Sequence, residues 1–280
     1  MKVVFFGSSR YVIPVIEMLH DNFDLPLVVT TEQNRRDAIP FYCIAKKIEY
    51  VSVRKSADLI SNYQVTGAIA SVGVVADFGL LIPEQVMSVF PFGVVNIHPS
   101  LLPKYRGPSP VQNAILNGDQ TTGVTIIKLD KYLDHGPVIA QVEEEIKEND
   151  TAKSLYERLF KAGAQLLEKT LVNYENSQVL FIPQNHQNAT FTKPLTRDDG
   201  YLDLKNIYEG KKFFERMIRA YYPWPGVWTK AMINDKLLVV KFLPDKKIQV
   251  EGGNEMAYKD FLNGYPKADK TLLEFIKKEI

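Results

Sequence analysis

Three polar residues near the ends of predicted strands have side chains that could together perform acyl transfer: Asn96, His98 and Asp134. A histidine with an ordinary pKa of about 6.5 takes up and releases a proton near neutral pH. An asparagine amide can donate a hydrogen bond to a developing oxyanion. Asp134 could orient the imidazole and accept a proton late in the reaction. The set suits a reaction in which the amine of the substrate itself attacks.

The chain offers little for other chemistries. Ser100 lacks the G-x-S-x-G setting of a nucleophile elbow. Four histidines and the single cysteine, Cys43, make a poor zinc ligand set, and one cysteine excludes an internal disulfide. The loop at Gly7 lacks the G-x-G-x-x-G pattern of dinucleotide binding. Spacing alone nevertheless favours a structural role for the histidine and the aspartate, since Asp134 could simply close a turn.

The Asn-x-His pair is predicted to lie on a strand, where residues i and i+2 point to one face. Asn96 and His98 therefore lean into one space, and Pro99 and Pro103 turn the chain into a loop. Before this loop, apolar runs at 2–6, 27–30, 50–53, 67–72 and 93–98 alternate with helical patterns. Such alternation predicts an α/β, Rossmann-like parallel sheet with helices on both faces. Ligands of these sheets bind beyond the carboxyl ends of the strands, where His98 lies.

The later part of the chain predicts further elements and a second domain. We expect a helix at 110–117, a strand at 123–129, a loop at 130–136, an exposed edge strand at 138–145 and a helix capped by Asp150 or Thr151. Residues 1–182 form the predicted first domain, and the polar stretch 183–204 is interpreted as a linker. Residues 205–280 are predicted to form a smaller β-rich C-terminal domain, with a helix near 211–221 and strands at 237–242 and 248–250.

Composition and charge are those of an ordinary globular protein. The 280 residues are 45% hydrophobic and 24% charged, with a formal net charge of +1. Residues 205–280 hold 15 Lys and Arg against 10 Asp and Glu. Charge alone favours a solvated lysine-rich surface there over nucleic-acid contact. No apolar run approaches membrane-spanning length and no signal peptide is evident, so we expect a cytoplasmic protein without membrane contact.

One long block of sequence resembles a known family. An Asn-x-His pair, an SLLP segment, a YRG turn, a GVT strand and an LDHG loop follow in order across Asn96–Gly136. This block is similar to the core of the 10-formyltetrahydrofolate-dependent formyltransferases, and most similar to the members that formylate methionyl-tRNA. Further similarity lies in FFGSS at the first strand, VVADFGLLIP at 74–83, ATFTKPLTRDDGYLD at 189–203 and IRAYYPWPGVWT at 218–229.

The resemblance implies a Rossmann-like catalytic domain and a C-terminal domain that is a reduced OB-like barrel and helps to bind RNA. It places the catalytic roles on Asn96, His98 and Asp134, with no metal. It implies 10-formyltetrahydrofolate as the formyl donor, held by the SLLP segment. We add an apolar pocket segment to this site, although its residues could equally be ordinary core. The predicted folate-binding residues are Ser100, Leu101, Leu102, Pro103, Phe78, Gly79, Leu81 and Ile82.

The implied reaction is formyl transfer to the α-amino group of charged initiator tRNA by a monomeric enzyme. Candidate contacts to this acceptor are Arg35, Arg36, Lys104, Arg106, Lys211 and Arg219. A solvated helix face explains the helix lysines equally well. The basic loop after the second strand, TTEQNRRDAIPF, looks shortened relative to the tRNA enzymes. An N-formyltransferase acting on a nucleotide-linked amino sugar is therefore the alternative, and a catalytically silent folate- or RNA-binding protein is a third possibility.

Overall fold

The computed structural model describes residues 1–32, 38–62, 65, 70–204 and 210–279. The chain divides into two compact units. Unit 1 comprises Met1–Pro110, Thr121–Glu145 and Tyr156–Lys193, and unit 2 comprises Val111–Gln120, Ile146–Leu155 and Pro194–Ile280. The segment interpreted as a linker is divided between the two units, with 183–193 in unit 1 and 194–204 in unit 2. The domain boundaries at 182 and 204 stay a prediction.

Unit 1 is built on a seven-stranded sheet with the strand order β3-β2-β1-β4-β5-β6-β7. The strands are β1 (Lys2–Gly7), β2 (Asp24–Thr31), β3 (Tyr50–Val53), β4 (Val72–Ala76), β5 (Val94–His98), β6 (Thr121–Lys128) and β7 (Val138–Glu145). The first five pair in parallel, whereas β6 runs antiparallel to both β5 and β7. The predicted α/β class and the edge position of β7 are confirmed, and the single reversed strand, β6, makes the sheet mixed.

The strand predicted at 67–72 is wrong in position. The observed strand β4 begins at Val72, and its residues pair with β1 from Val3↔Val72 to Gly7↔Ala76. Gly73 lies inside this strand, and a Cβ atom there would lie 3.0 Å from Val94 Cγ2 and 3.2 Å from Phe90 Cε2. A glycine normally weakens a strand, but here it leaves room for the closely packed side chains of Val94 and Phe90. Residues 67–69 of the predicted strand lie outside the described residues.

Helices cover the sheet of unit 1 and fill its core. They are α1 (Ile13–Asn22), α2 (Ala38–Lys46), α3 (Ser56–Ser61) and α4 (Glu84–Met87), together with the part of α6 (Ala152–Glu175) that follows Tyr156. On α1, Val15, Ile16 and Leu19 are fully buried, as their helical spacing predicts. On α6, Gly163 lies against β5, since a Cβ atom there would be 2.9 Å from Ile97 Cγ2. This close packing fixes the strand that carries Asn96 and His98.

Unit 2 contains an antiparallel sheet with the strand order β11-β10-β9-β8. Its strands are β8 (Val227–Ile233), β9 (Lys236–Leu243), β10 (Lys247–Val250) and β11 (Glu255–Ala257), and its helices include α5 (Pro110–Asn117, mostly in this unit), α7 (Gly210–Tyr221), α8 (Tyr258–Gly264) and α9 (Lys270–Glu279). Phe214, Phe242 and Phe275 pack edge to face, with centroids 4.9–5.6 Å apart. The predicted β-rich C-terminal domain is confirmed as an open sheet; across the described residues its strands do not close into a barrel.

Candidate active site

A cavity of about 580 Å³ lies in unit 1, beyond the carboxyl ends of β4 and β5. The side chains predicted to do chemistry all line it. Asn96 and His98 reach it from alternate positions of β5, and Asp134 reaches it from the loop between β6 and β7. The three residues are 9%, 4% and 8% exposed. The structure therefore brings the predicted amide, imidazole and carboxylate to one largely buried site.

The carboxylate of Asp134 is the centre of this arrangement. Asn96 Nδ2 donates a hydrogen bond to Asp134 Oδ1 at 3.2 Å, and the backbone N–H of Gly107 donates to Oδ2 at 2.8 Å. His98 Nδ1 lies 3.6 Å from Asp134 Oδ2. This distance exceeds that of a good hydrogen bond, so the imidazole and the carboxylate are close neighbours without a direct bond. Asn96 keeps a second N–H that it can direct at a substrate oxygen.

The two nitrogens of the His98 ring have different partners. Nε2 lies 2.9 Å from the carbonyl oxygen of Tyr105. Because a carbonyl only accepts hydrogen bonds, Nε2 carries a proton and donates it. Nδ1 faces the carboxylate of Asp134, so it is the nitrogen that can gain and lose a proton.

Two of the segments that supply these partners contain residues with an unusual backbone conformation. Tyr105 and Asp134 adopt φ values of 60° and 47°, in the left-handed region that non-glycine residues avoid. Gly107, with φ 109°, follows in the same turn. Such conformations persist only when surrounding contacts fix them, and they are common at functional sites.

The segment Gln184–Lys193, which we call the strap, holds the turn that contains Tyr105 and Gly107. Arg106 N–H donates to the carbonyl of Thr190, and Thr192 N–H donates to the carbonyl of Arg106, both at 2.8 Å. Thr192 Oγ1 accepts from Ser109 N–H at 3.1 Å. Sequence reasoning missed Thr190 and Thr192. The signal was present in the ATFTKPLT block, which carried the resemblance but was interpreted as part of a linker.

Arg106 is buried, with 3% exposure, and its guanidinium is directed into the protein. Nε and Nη2 donate to Gln184 Oε1 at 3.2 and 2.6 Å, and Nη2 lies 2.8 Å from His186 Nδ1. Burial lowers the pKa of Arg106, and the charges of Asp134 and Asp130 oppose that shift. These contacts argue against the predicted role of Arg106 in binding the acceptor.

The two predicted sets of folate-binding residues lie in different places. Phe78, Gly79, Leu81 and Ile82 line the cavity, and Phe78 also packs edge to face on Phe6 at 5.7 Å. The SLLP residues Ser100, Leu101, Leu102 and Pro103 are absent from the cavity wall. Ser100 Oγ instead donates to the carbonyl of Lys104 at 2.7 Å, and Leu102 N–H donates to Thr125 Oγ1 at 3.1 Å. These bonds give the SLLP segment a structural role in shaping its own loop.

The other predicted acceptor contacts are dispersed. Lys104 is exposed in unit 1. In unit 2, the exposed Lys211 donates to the carbonyl of Glu279 at 3.3 Å, and Arg219 donates to the carbonyl of Asp150 at 2.9 Å. Burial lowers the pKa of Arg219. Arg35 and Arg36 lie outside the described residues.

The cavity wall also contains residues that sequence reasoning missed. Asp77 follows β4 directly, with φ 45°, and Tyr132 and Leu133 precede Asp134 in its loop. A polar residue directly after a buried strand was the available signal for Asp77. Over the ranges that the structure describes, no group of three or more His, Cys, Asp or Glu side chains could hold a metal ion. Within those same ranges, no helix is long and apolar enough to cross a membrane.

The protein thus has an open α/β sheet with an amide, an imidazole and a carboxylate around one strand-end cavity, an arrangement that suits a group-transfer enzyme. Residues 14–171 match the formyl transferase family model. The chain belongs to this family. It is 36% identical over 266 residues to a methionyl-tRNA formyltransferase of Roseiflexus sp. (strain RS-1), covering 90% of this chain and 80% of that protein. It is 30% identical over 302 residues to that of Koribacter versatilis, covering 95% and 96%.

Solved structures share the fold at lower identity. A 4-N formyltransferase from Francisella tularensis has a TM-score of 0.69 at 18% identity, covering 88% of this chain and 98% of that chain. The N-formyltransferase from Helicobacter canadensis, in complex with folinic acid and dTDP-3-aminofucose, has a TM-score of 0.63 at 18% identity, covering 92% and 98%. At these identities the comparison supports the fold alone.

Proposed function

We propose that this protein transfers a formyl group from 10-formyltetrahydrofolate to the α-amino group of methionyl-tRNA. The observation that carries the chemistry is the convergence of Asn96, His98 and Asp134 on one cavity. The acceptor is inferred from relatives of 30–36% identity over at least 90% of this chain, which are named methionyl-tRNA formyltransferases. We further propose that the enzyme needs no metal and acts in the cytoplasm as a monomer.

The cavity has the size and lining that a folate would need. Its volume of about 580 Å³ is within the usual range for ligand pockets. The segment Phe78–Pro83 supplies an apolar wall, to which Met87 and Leu129 contribute. Polar groups are concentrated at the side formed by β5 and the Asp134 loop. A flat ring on the apolar wall would present its formyl group to Asn96 and His98.

Each of the three polar side chains would have its own role in the transfer. The substrate α-amino group, whose ordinary pKa is about 8, attacks the formyl carbon as the free base. Asn96 Nδ2 and protonated His98 Nδ1 donate hydrogen bonds to the oxygen on which negative charge develops. Asp134 accepts the proton that the amine loses. A proton returns to the folate N10 as its bond to the formyl carbon breaks, so the step is balanced without an external reagent.

A direct transfer assay tests this proposal. Purified protein is incubated with formyl-labelled 10-formyltetrahydrofolate and either methionyl-tRNA or a dTDP-linked amino sugar, with uncharged tRNA as the control. We expect label in the methionyl-tRNA only. Efficient formylation of the amino sugar with none of methionyl-tRNA would replace this proposal by the sugar N-formyltransferase alternative. Binding of tetrahydrofolate without transfer to either amine would instead support a silent binding protein.

A further inference from the structure

Gln184 is 7% exposed, and the whole hydrogen-bonding capacity of its side chain is used. Nε2 donates to the backbone carbonyls of Asp134 and Gly136 at 2.9 and 2.7 Å. Oε1 accepts from Nε and Nη2 of Arg106 at 3.2 and 2.6 Å. A carboxamide has two N–H donors and two acceptor lone pairs, so none is left over. Its orientation is unambiguous, because the carbonyls only accept and the guanidinium only donates.

These bonds join two segments that both contact the reactive groups. On one side is the loop of Asp134. On the other is the turn Tyr105–Gly107, whose carbonyl at Tyr105 accepts from His98 Nε2 and whose N–H at Gly107 donates to Asp134 Oδ2. Gln184 thus closes a ring of contacts that fixes Asp134 at both its backbone carbonyl and its carboxylate. Gln184 itself is absent from the cavity wall.

We propose that Gln184 is a positioning residue, which holds the Asp134 carboxylate at its working distance from the imidazole of His98. The inference rests on the proposed function of the same site. Asp134 occupies a left-handed conformation that needs external support. The carboxylate lies 3.6 Å from His98 Nδ1, so a shift of its loop alters the separation of two reactive groups. A misplacement of about 1 Å costs about 10²-fold in rate at enzyme sites.

A double-mutant cycle between Gln184→Met and Asp134→Asn tests whether Gln184 acts through Asp134. Methionine keeps the length of the side chain and removes its hydrogen bonds. We expect Gln184→Met to lower kcat about 30-fold, with the KM for 10-formyltetrahydrofolate within about twofold of wild type. In the Asp134→Asn background, Gln184→Met should lower kcat by less than about threefold, because the carboxylate that Gln184 positions is no longer present. Equal losses in both backgrounds would overturn the proposal.

Two controls separate positioning from folding. Gln187→Met makes the same substitution three residues away on an exposed side chain of the strap and should leave kcat unchanged. Calorimetric titration with tetrahydrofolate gives the fraction of sites that are intact. A fall in kcat that only matches a fall in this fraction means that Gln184 is structural, and overturns the proposal. If Gln184→Met does not fold, the cycle uses Gln184→Glu, which keeps the acceptors for Arg106 and places an oxygen against the two carbonyls.

An NMR measurement tests the same inference without any acceptor substrate. The Nε2–H proton of His98 is hydrogen-bonded to Tyr105 in the turn that Gln184 supports. We expect Gln184→Met to speed its exchange with solvent about tenfold, and Gln187→Met to leave it unchanged. An unchanged exchange rate in Gln184→Met would refute the positioning role. Absence of formyl transfer by the wild-type protein would refute the proposed function alone, and this measurement would still decide the role of Gln184.

Discussion

His98 Nε2 lies 2.9 Å from the carbonyl oxygen of Tyr105, and this contact assigns separate tasks to the two nitrogens of the ring. The donor bond to Tyr105 fixes the ring, since a carbonyl cannot donate in return. Nδ1 is left facing Asp134 Oδ2 at 3.6 Å. Proton exchange at this nitrogen can therefore proceed while the ring stays anchored to the turn.

Replacing His98 by alanine removes both the anchor and the exchanging nitrogen. We expect kcat to fall by about 10²-fold or more, the usual scale for loss of an acid–base or oxyanion group. Tetrahydrofolate should still bind, because the apolar wall at 78–83 is untouched. His20→Ala, on an exposed position of α1, is the matched control and should keep wild-type kcat. Near-full activity of His98→Ala at saturating substrates would show that the site is wrongly assigned.

Gly107 offers a way to disturb Asp134 without changing any polar side chain. Its φ is 109°, and an added Cβ atom would lie 2.8 Å from the carbonyl oxygen of Thr192. Gly107→Ala should therefore displace the N–H that donates to Asp134 Oδ2. We expect a loss of stability of at least about 1–2 kcal/mol from the left-handed conformation, and a fall in kcat of about tenfold or more from the displaced donor.

Gly252→Ala is the control for this strain. Gly252 has φ 77° but open space around the added Cβ atom, and it lies in unit 2. Both variants should therefore lose thermal stability, whereas kcat should fall only in Gly107→Ala. A Gly107→Ala enzyme with wild-type kcat would mean that the Gly107 donor is unimportant for transfer.

Lowering the pH should destabilise the folded protein through protonation of His186, which lies in the strap. Its Nδ1 accepts from Arg106 Nη2, and its ring stacks on His135 with centroids 4.0 Å apart. Desolvation, followed by the charges of His135 and Arg106, lowers the pKa of His186 below its usual value. The unfolded chain therefore binds the proton more readily than the folded chain. This contribution to stability is present above about pH 6.5 and is lost as pH falls below it.

The change His186→Gln keeps an acceptor for Arg106 and removes the titration. We expect the fall in Tm between about pH 7 and pH 5.5 to be smaller in His186→Gln than in wild type. His20→Gln, on the exposed side of α1, should follow the wild-type curve. A pH dependence of Tm that is identical in all three proteins would contradict a role for His186 in acid sensitivity.

The parts of the site that follow local sequence rules could be predicted. Alternation along a strand placed Asn96 and His98 on one face, and the helix at Pro110–Asn117 was predicted with its observed bounds. The misplaced strand at 67–72 shows where local rules fail. The observed strand β4 contains Gly73, which packs closely against the side chains of Phe90 and Val94. A prediction from a short stretch of sequence does not reveal which side chains from elsewhere in the chain pack against a glycine.

The contacts that hold the site in place were not predictable, because they join residues that are far apart in the chain. Gln184 and Arg106 are separated by 78 positions, and neither lies in a periodic pattern. The polar composition of 183–193 is that of a solvated linker, yet its polar groups satisfy buried backbone groups of the turn. Sequence alone also could not distinguish a buried, fully bonded Arg106 from one exposed to an acceptor.

Contact of Arg35 and Arg36 with the acceptor is inferred from sequence, since both residues lie outside the described residues. If methionyl-tRNA is the acceptor, binding must neutralise phosphates, and affinity falls as salt rises. The double change Arg35→Ala and Arg36→Ala should raise the KM for methionyl-tRNA and flatten its logarithmic salt dependence by about 0.7–0.9 for each phosphate that is no longer neutralised. The KM for 10-formyltetrahydrofolate should stay unchanged. Lys277→Ala with Lys278→Ala, exposed at the end of α9, removes the same charge and should alter neither value. Equal effects of the two double variants would mean that only overall charge attracts the RNA, and no effect of either would remove Arg35 and Arg36 from the acceptor site.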